Sequence, residues 1–154
     1  MANERTDERI VTGQTSAVTD IRGAEHPPSI YTASKTKHAH KWRALREQGF
    51  NVISTWIDEA GLGESESLED LAHRCISEAS GADLFILYCE PGDVLKGALM
   101  ELGAALASHA EIYVVGECDS LRSAVMEHSR IRRMMRVEDA LNRAGLIPAE
   151  PLPL

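Results

Sequence analysis

Hydrophobic positions along this chain change their period repeatedly, and each change marks a predicted element. SIYTAS (29–34) has the β-branched and aromatic character of a short strand. In KTKHAHKWRALREQG (35–49), Ala39, Trp42 and Leu45 recur at helical spacing and Gly49 supplies the stop. FNVISTWI (50–57) predicts a second strand, and the glycine-rich acidic run DEAGLGESES (58–67) predicts a loop. SLEDLAHRCISEAS (67–80) opens on a capping box, Ser67 to Asp70. It predicts a helix whose apolar face is Leu68, Leu71, Ala72, Cys75, Ile76 and Ala79. ADLFILYC (82–89) is nearly all apolar, as a strand buried on both faces of a parallel sheet should be. The turn EPGDV (90–94) leads into a helix over LKGALMELGAALA (95–107), where Leu95, Leu99, Leu102 and Leu106 form one continuous stripe. EIYVVG (111–116) predicts a further strand and residues 119–127 a short helix. MMRV (134–137) predicts a short last strand before the helix VEDALNRAG (137–145).

This alternation predicts an α/β domain: a three-layer αβα sandwich around a central parallel sheet of about five strands, flavodoxin- or Rossmann-like. Ligands of such folds bind beyond the carboxyl ends of the strands, near the point where the strand order reverses. The segments expected at that mouth are 31–37, 55–61, 89–97 and 116–120. The domain is expected over residues 28–147. A polar arm of mixed charge (1–27, ending in Pro27-Pro28) precedes it, and a proline-broken tail (148–154) follows.

Composition narrows the function. The chain has 154 residues, enough for one real core. A formal net charge of −8 argues against general binding to a nucleic-acid polymer. No apolar run approaches the ~20 residues of a membrane span, and the N-terminus carries no apolar signal core. A cytoplasmic location with no membrane partner is therefore expected. Cys75, Cys89 and Cys118 fit neither a disulfide framework nor a CxxC metal pair. No phosphate-loop glycine pattern and no zinc spacing is present, so neither metal nor cofactor is expected.

The 95–107 helix carries the candidate chemistry. Glu101 lies about a third of a turn off the leucine stripe, with Gly97, Ala98, Ala104 and Ala105 as its neighbours one turn away. None of them is a cation. A carboxylate in a trench of small residues is either idle surface or a working group with room for a ligand. Further acids, Asp58, Glu59, Glu90 and Asp93, fall at the predicted mouth. Paired carboxylates are the usual equipment for breaking glycosidic bonds.

The combination of IYTAS, ADLFILYCEPGD, GALMELGAALA and EIYVVG resembles the nucleoside 2-deoxyribosyltransferase family, including its deoxynucleoside 5′-monophosphate N-glycosidases. The resemblance spans roughly residues 29–117. It implies cleavage or transfer of an N-glycosidic bond, with Glu101 as the nucleophile at C1′ and Tyr31 orienting it. It also implies a homodimer or higher homo-oligomer acting on a small-molecule nucleoside or nucleotide, with His128 or Ser129 reaching a neighbouring subunit's site. Substrate contacts are expected from Asp93, Glu90, Gly97, Ser34, Trp56, Asp58 and Ser129. Lys35 and Lys37 form a basic rim that could attract a nucleotide phosphate. The sequence departs from the family pattern in one important place. Eight residues before Asp83, where an aspartate handles the base and its proton, it has Cys75. The alternative expectation is therefore a non-catalytic nucleotide-binding or sensing module of the same fold. A third reading makes the small-residue helix simply an oligomer interface.

Overall fold

The computed structural model describes residues 26–60 and 67–154. Most of the expected N-terminal arm and the glycine-rich stretch 61–66 lie outside the described residues. Four strands, β1 (Ile30–Ala33), β2 (Leu84–Tyr88), β3 (Glu111–Val115) and β4 (Ile131–Met134), form one parallel sheet in the order β1-β2-β3-β4. Ile30 pairs with Leu84, Leu84 with Glu111, and Ile112 with Ile131. The first three strands are buried almost throughout, which explains their continuous apolar sequences. The helices are α1 (Ala39–Glu47), α2 (Trp56–Glu59), α3 (Leu68–Gly81), α4 (Gly97–Leu106) and α5 (Val137–Arg143). No helix among the described residues is long and apolar enough to cross a membrane.

Among the described residues the sheet has four strands, not about five, because the predicted strand 50–57 shrinks to a single bridge between Ile30 and Val52. Ile30 donates to the Asn51 carbonyl and accepts from the Ile53 amide, each at 2.9 Å. One residue further on, side chains take over. The Thr32 amide donates to Ser54 Oγ at 2.7 Å, and the Trp56 indole N–H donates to the Thr32 carbonyl at 2.8 Å. Thr32 thus has both backbone groups satisfied without a backbone ladder, and the chain is free to turn into α2 at Trp56.

Ile30 faces the 50–53 segment with both its backbone groups, so β2 lies on the opposite edge of β1. The chain moves outward from β1 to 50–53 and then returns across it to β2. That reversal is the switch point, and the crevice beyond β1 and β2 is where a ligand belongs.

Side-chain parity shows which helices cover which face. Tyr31 and Phe85, paired in register, stack with ring centroids 5.7 Å apart on the side of α3 and α4. Tyr88, three residues after Phe85, points the other way and meets Trp42 of α1 edge-on at 5.9 Å. α5 packs across β2, β3 and β4. Helices therefore cover both faces of the sheet.

Three further boundaries differ from expectation. The last strand begins three residues early, at Ile131, because Arg132 and Arg133 leave the sheet edge and bind Glu111 and Glu117 at 2.6 and 2.7 Å. Residues 119–127 form two 3₁₀ turns, Asp119–Leu121 and Ala124–Glu127, instead of one helix. α3 begins as predicted, with Ser67 Oγ accepting from the Asp70 amide, but its inner face differs. Leu68 and Ile76 are exposed, and the buried positions are Cys75 and Ala79.

The tail 148–154 lies against the body. Leu152 is buried, its amide donates to Glu138, and Gln48 exchanges two hydrogen bonds with the Glu150 backbone.

Candidate active site

A cleft of about 250 Å³ opens at the switch point. Ser34, Lys35 and Thr36 line it from the end of β1, Trp56 from α2, Leu71 and Cys75 from α3, and Lys96, Gly97, Ala98 and Glu101 from the start of α4. Each position follows from local structure. β1 ends as the chain enters a 3₁₀ turn at Thr36–His38. Trp56 is held by its bond to Thr32, and Ser34 Oγ accepts from the Trp42 indole at 2.9 Å.

α4 buries Ala98, Leu102 and Ala105, and Leu95 is buried just before it, while Leu99 and Leu106 are only half-buried. The seam is therefore rotated from the expected leucine stripe toward the alanines, because small side chains let α4 lie close to α3 and the sheet. Glu101 stands beside that seam. Its side chain leans back along the helix, as helical side chains do, so that Oε1 would lie 3.7 Å from a Cβ placed on Gly97. No cation pairs with it among the described residues. Burial pushes its pKa up from 4.5 to about 7. The Tyr31 hydroxyl and the Cys75 thiol pull the other way, and the negative charge of Glu78 reinforces the rise.

Tyr31 forms the floor beneath this carboxylate. It is fully buried, and its hydroxyl makes no hydrogen bond of normal geometry. Burial, with the charge of Glu101 next in effect, raises its pKa far above the ordinary tyrosine value, so it remains a proton donor. Cys75 completes the group: burial pushes its thiol up to about 11 despite the opposing effect of Tyr31. A polar hydroxyl, a thiol and a carboxylate thus share one partly desolvated pocket wall.

Of the residues singled out in the sequence, Glu101, Gly97, Ser34 and Trp56 line the cleft and Tyr31 lies under it. Lys35 is in the rim, while Lys37 instead binds Asp93 at 2.7 Å. Asp93 itself is buried and locked. It accepts from His38 Nε2 and from the Glu90 amide, each at 2.9 Å. Burial alone would raise its pKa, but the bonds from Lys37, the Glu90 amide and His38 prevail and hold it at about 2. Glu90 accepts from the Tyr88 hydroxyl at 2.7 Å, away from the cleft lining. Asp58 faces α1 and binds Arg46 at 3.0 Å, and Ser129 is exposed in the turn before β4. Two residues of the region escaped sequence reasoning. Lys96 falls inside the predicted helix 95–107, whereas the observed helix begins only at Gly97 and leaves Lys96 at the cleft. Glu78 was hidden as a polar position of α3, although it follows Cys75 by three residues and so shares its face.

No family model matches this sequence, and no curated protein matches it. Among solved structures, the chain is similar to a CMP N-glycosidase of Clostridium botulinum, BcmB. The identity is 19%, the TM-score 0.51, and the match covers 76% of this chain and 98% of that one. The likeness is one of fold.

The arrangement combines three chemical capacities. Glu101 is a carboxylate that both protonated and ionised forms populate near neutral pH, which is the range of a working acid, base or nucleophile. Lys35 and Lys96 bring positive charge to the rim of the same cleft, with no ion-pair partner for either among the described residues. Trp56 supplies an aromatic wall.

Proposed function

We propose that this protein cleaves the N-glycosidic bond of a nucleoside 5′-monophosphate, with Glu101 as the nucleophile. One observation carries the reading: an unpaired, half-buried carboxylate with its pKa raised to about 7, in a cleft at the switch point of a parallel sheet. The fold likeness to a CMP N-glycosidase supports it.

Ionised Glu101 attacks C1′ of the sugar as the C1′–N bond breaks, giving a glycosyl ester and a base that takes up a proton. Water then attacks C1′, the ester C–O bond breaks, and free sugar phosphate leaves with Glu101 restored. Tyr31, which keeps its proton, orients the carboxylate. The indole of Trp56 is placed to stack on the base, and Lys35 and Lys96 to hold the phosphate. In a homo-oligomer, the assembly that the sequence resemblance implies, the exposed Leu68, Ile76 and Met100 of the paired helices α3 and α4 would supply apolar contact surface.

A second reading, a nucleotide-binding module without catalysis, is favoured by Cys75: the cleft wall beside Glu101 has a thiol where a second acid would handle the proton. One experiment separates the two. The protein is incubated with CMP, dCMP and the other ribo- and deoxyribonucleoside monophosphates, and released base is followed by chromatography. The enzyme reading expects base release that Glu101→Ala abolishes. No release across the panel, with thermal stabilisation by a nucleotide that is not consumed, establishes the module instead. A fully active Glu101→Ala protein refutes the nucleophile.

A further inference from the structure

Two loops flank the opening of the cleft. One follows β1 and brings Ser34, Lys35 and Thr36 to it, and the other follows β2 and brings Leu95 and Lys96. The last rung of the sheet between them is Ala33 with Leu87, so beyond it the ladder no longer fixes their separation. Asp93 bridges this gap. From the second loop its carboxylate reaches the end of the first: Oδ1 lies 2.7 Å from Lys37 Nζ, and Oδ2 accepts from His38 Nε2 at 2.9 Å. Both ends of the bridge are held in turns. The His38 amide donates to the Lys35 carbonyl at 3.0 Å, closing a turn that begins at Lys35 itself. On the other side, Asp93 Oδ2 accepts from the Glu90 amide at 2.9 Å and the Asp93 amide donates to the Glu90 carbonyl at 3.0 Å. That second turn ends three positions before Lys96.

A buried acid is a costly way to join two loops. The side chains of Asp93 and His38 are 2% and 5% exposed, and an apolar pair would join the loops without desolvating a charge. What the carboxylate adds is direction. Its two oxygens meet fixed partners at charge-assisted distances, so the loops come together in one register. Asp93 does not line the cleft, so it acts on the opening only through the loops that carry Lys35 and Lys96.

We propose that Asp93 is a positioning residue: by tying the loop of Lys35 to the loop of Lys96 it sets the width of one phosphate site, with a lysine on either side. This rests on the two lysines holding the 5′-phosphate, as in the reaction above. A charge-assisted N–H···O bond is made only within a few tenths of an ångström of its best length. Loops that spread leave the phosphate bound from one side, and the protein then loses its preference for a nucleotide over the nucleoside.

The test separates the phosphate from the rest of the ligand. Binding of CMP and of cytidine is measured by calorimetry in the Glu101→Gln background, where the ligand is not consumed. The preference for CMP over cytidine is expected to fall on the order of tenfold in Lys35→Ala, Lys96→Ala and Asp93→Asn, with cytidine affinity little changed. Asp93→Asn combined with Lys35→Ala should cost less than the product of the two single effects, because the first has already displaced the lysine that the second removes. A merely structural loss would multiply. An unchanged preference in Asp93→Asn overturns the proposal, as does a fully multiplicative double variant. If the lysine variants keep the preference, or the parent binds CMP no better than cytidine, the phosphate reading fails and the proposal with it. Should Asp93→Asn fail to fold, Lys37→Met decides, since Lys37 is exposed and supplies one bond of the clamp. A fall in preference to which Lys35→Ala adds little supports the proposal; no fall, or a multiplicative one, overturns it. Binding is read without turnover, so wild-type protein that releases no base refutes the hydrolase reading and leaves this result standing.

Discussion

Replacing Glu101 with glutamine should make the protein more stable, and only at neutral and alkaline pH. Burial holds the Glu101 carboxyl at about 7 in the folded chain, against an ordinary value of 4.5. Between those two values the folded state binds the proton more tightly than the unfolded state. Stability from this group is therefore full below about pH 4.5 and declines as the pH rises through 7. At ~1.4 kcal/mol per pH unit, the ionised carboxylate costs the wild type roughly 3 kcal/mol at pH 8. Glutamine has the shape of the protonated acid and carries no such cost. Some of the gain is offset by the rearranged hydrogen-bonding group beside Tyr31 and Cys75, so roughly 1–3 kcal/mol of net stabilisation is expected at pH 8 and close to none at pH 4.5. Urea unfolding of both proteins from pH 4.5 to 8.5, with m-values compared, measures it. A stability difference independent of pH, or a variant weaker than wild type at pH 8, refutes the reasoning about the buried carboxylate. Base release should fall to background in the same variant, which is the trade between stability and function expected at a working acid.

Asp93 gives the opposite pH signature. Its pKa is held at about 2 against 3.8, so it stabilises the fold above pH ~4, and that contribution is lost as the pH falls toward 2. Asp93→Asn should destabilise by roughly 2–4 kcal/mol at pH 7, and acid titration followed by circular dichroism should show the wild type's advantage disappearing. Gly116 has φ +86, and a Cβ there would come within 2.0 Å of the Cys89 carbonyl oxygen. Gly116→Ala should cost roughly 3 kcal/mol or more, read as loss of soluble folded protein. At Gly97 nothing is nearer than Glu101 Oε1 at 3.7 Å, so Gly97→Ala should gain about 0.5–1 kcal/mol of helix stability. The added methyl faces the cleft, so KM for a nucleotide should rise with little change in kcat; unchanged KM would place the substrate elsewhere.

Much of this arrangement is written in local pattern. The continuous apolar run of β2 announces a strand buried on both sides, and Ser67 announces the start of α3, because two-faced burial and capping need only neighbouring residues. The small-residue setting of Glu101 is likewise visible one turn away in either direction. Other features depend on who meets whom. Ser54 and Trp56 look like strand residues until their side chains are found on the two backbone groups of Thr32, and that substitution removes a strand from the sheet. Asp93, an acid at the predicted mouth, is bound by Lys37 and His38 from more than fifty positions earlier. Cys75 belongs beside Glu101 only because α3 and α4 pack together. Period and capping are properties of a segment. Burial of a charge, and therefore its pKa, is a property of everything packed around it, and for Glu101 that was decided by the tertiary structure.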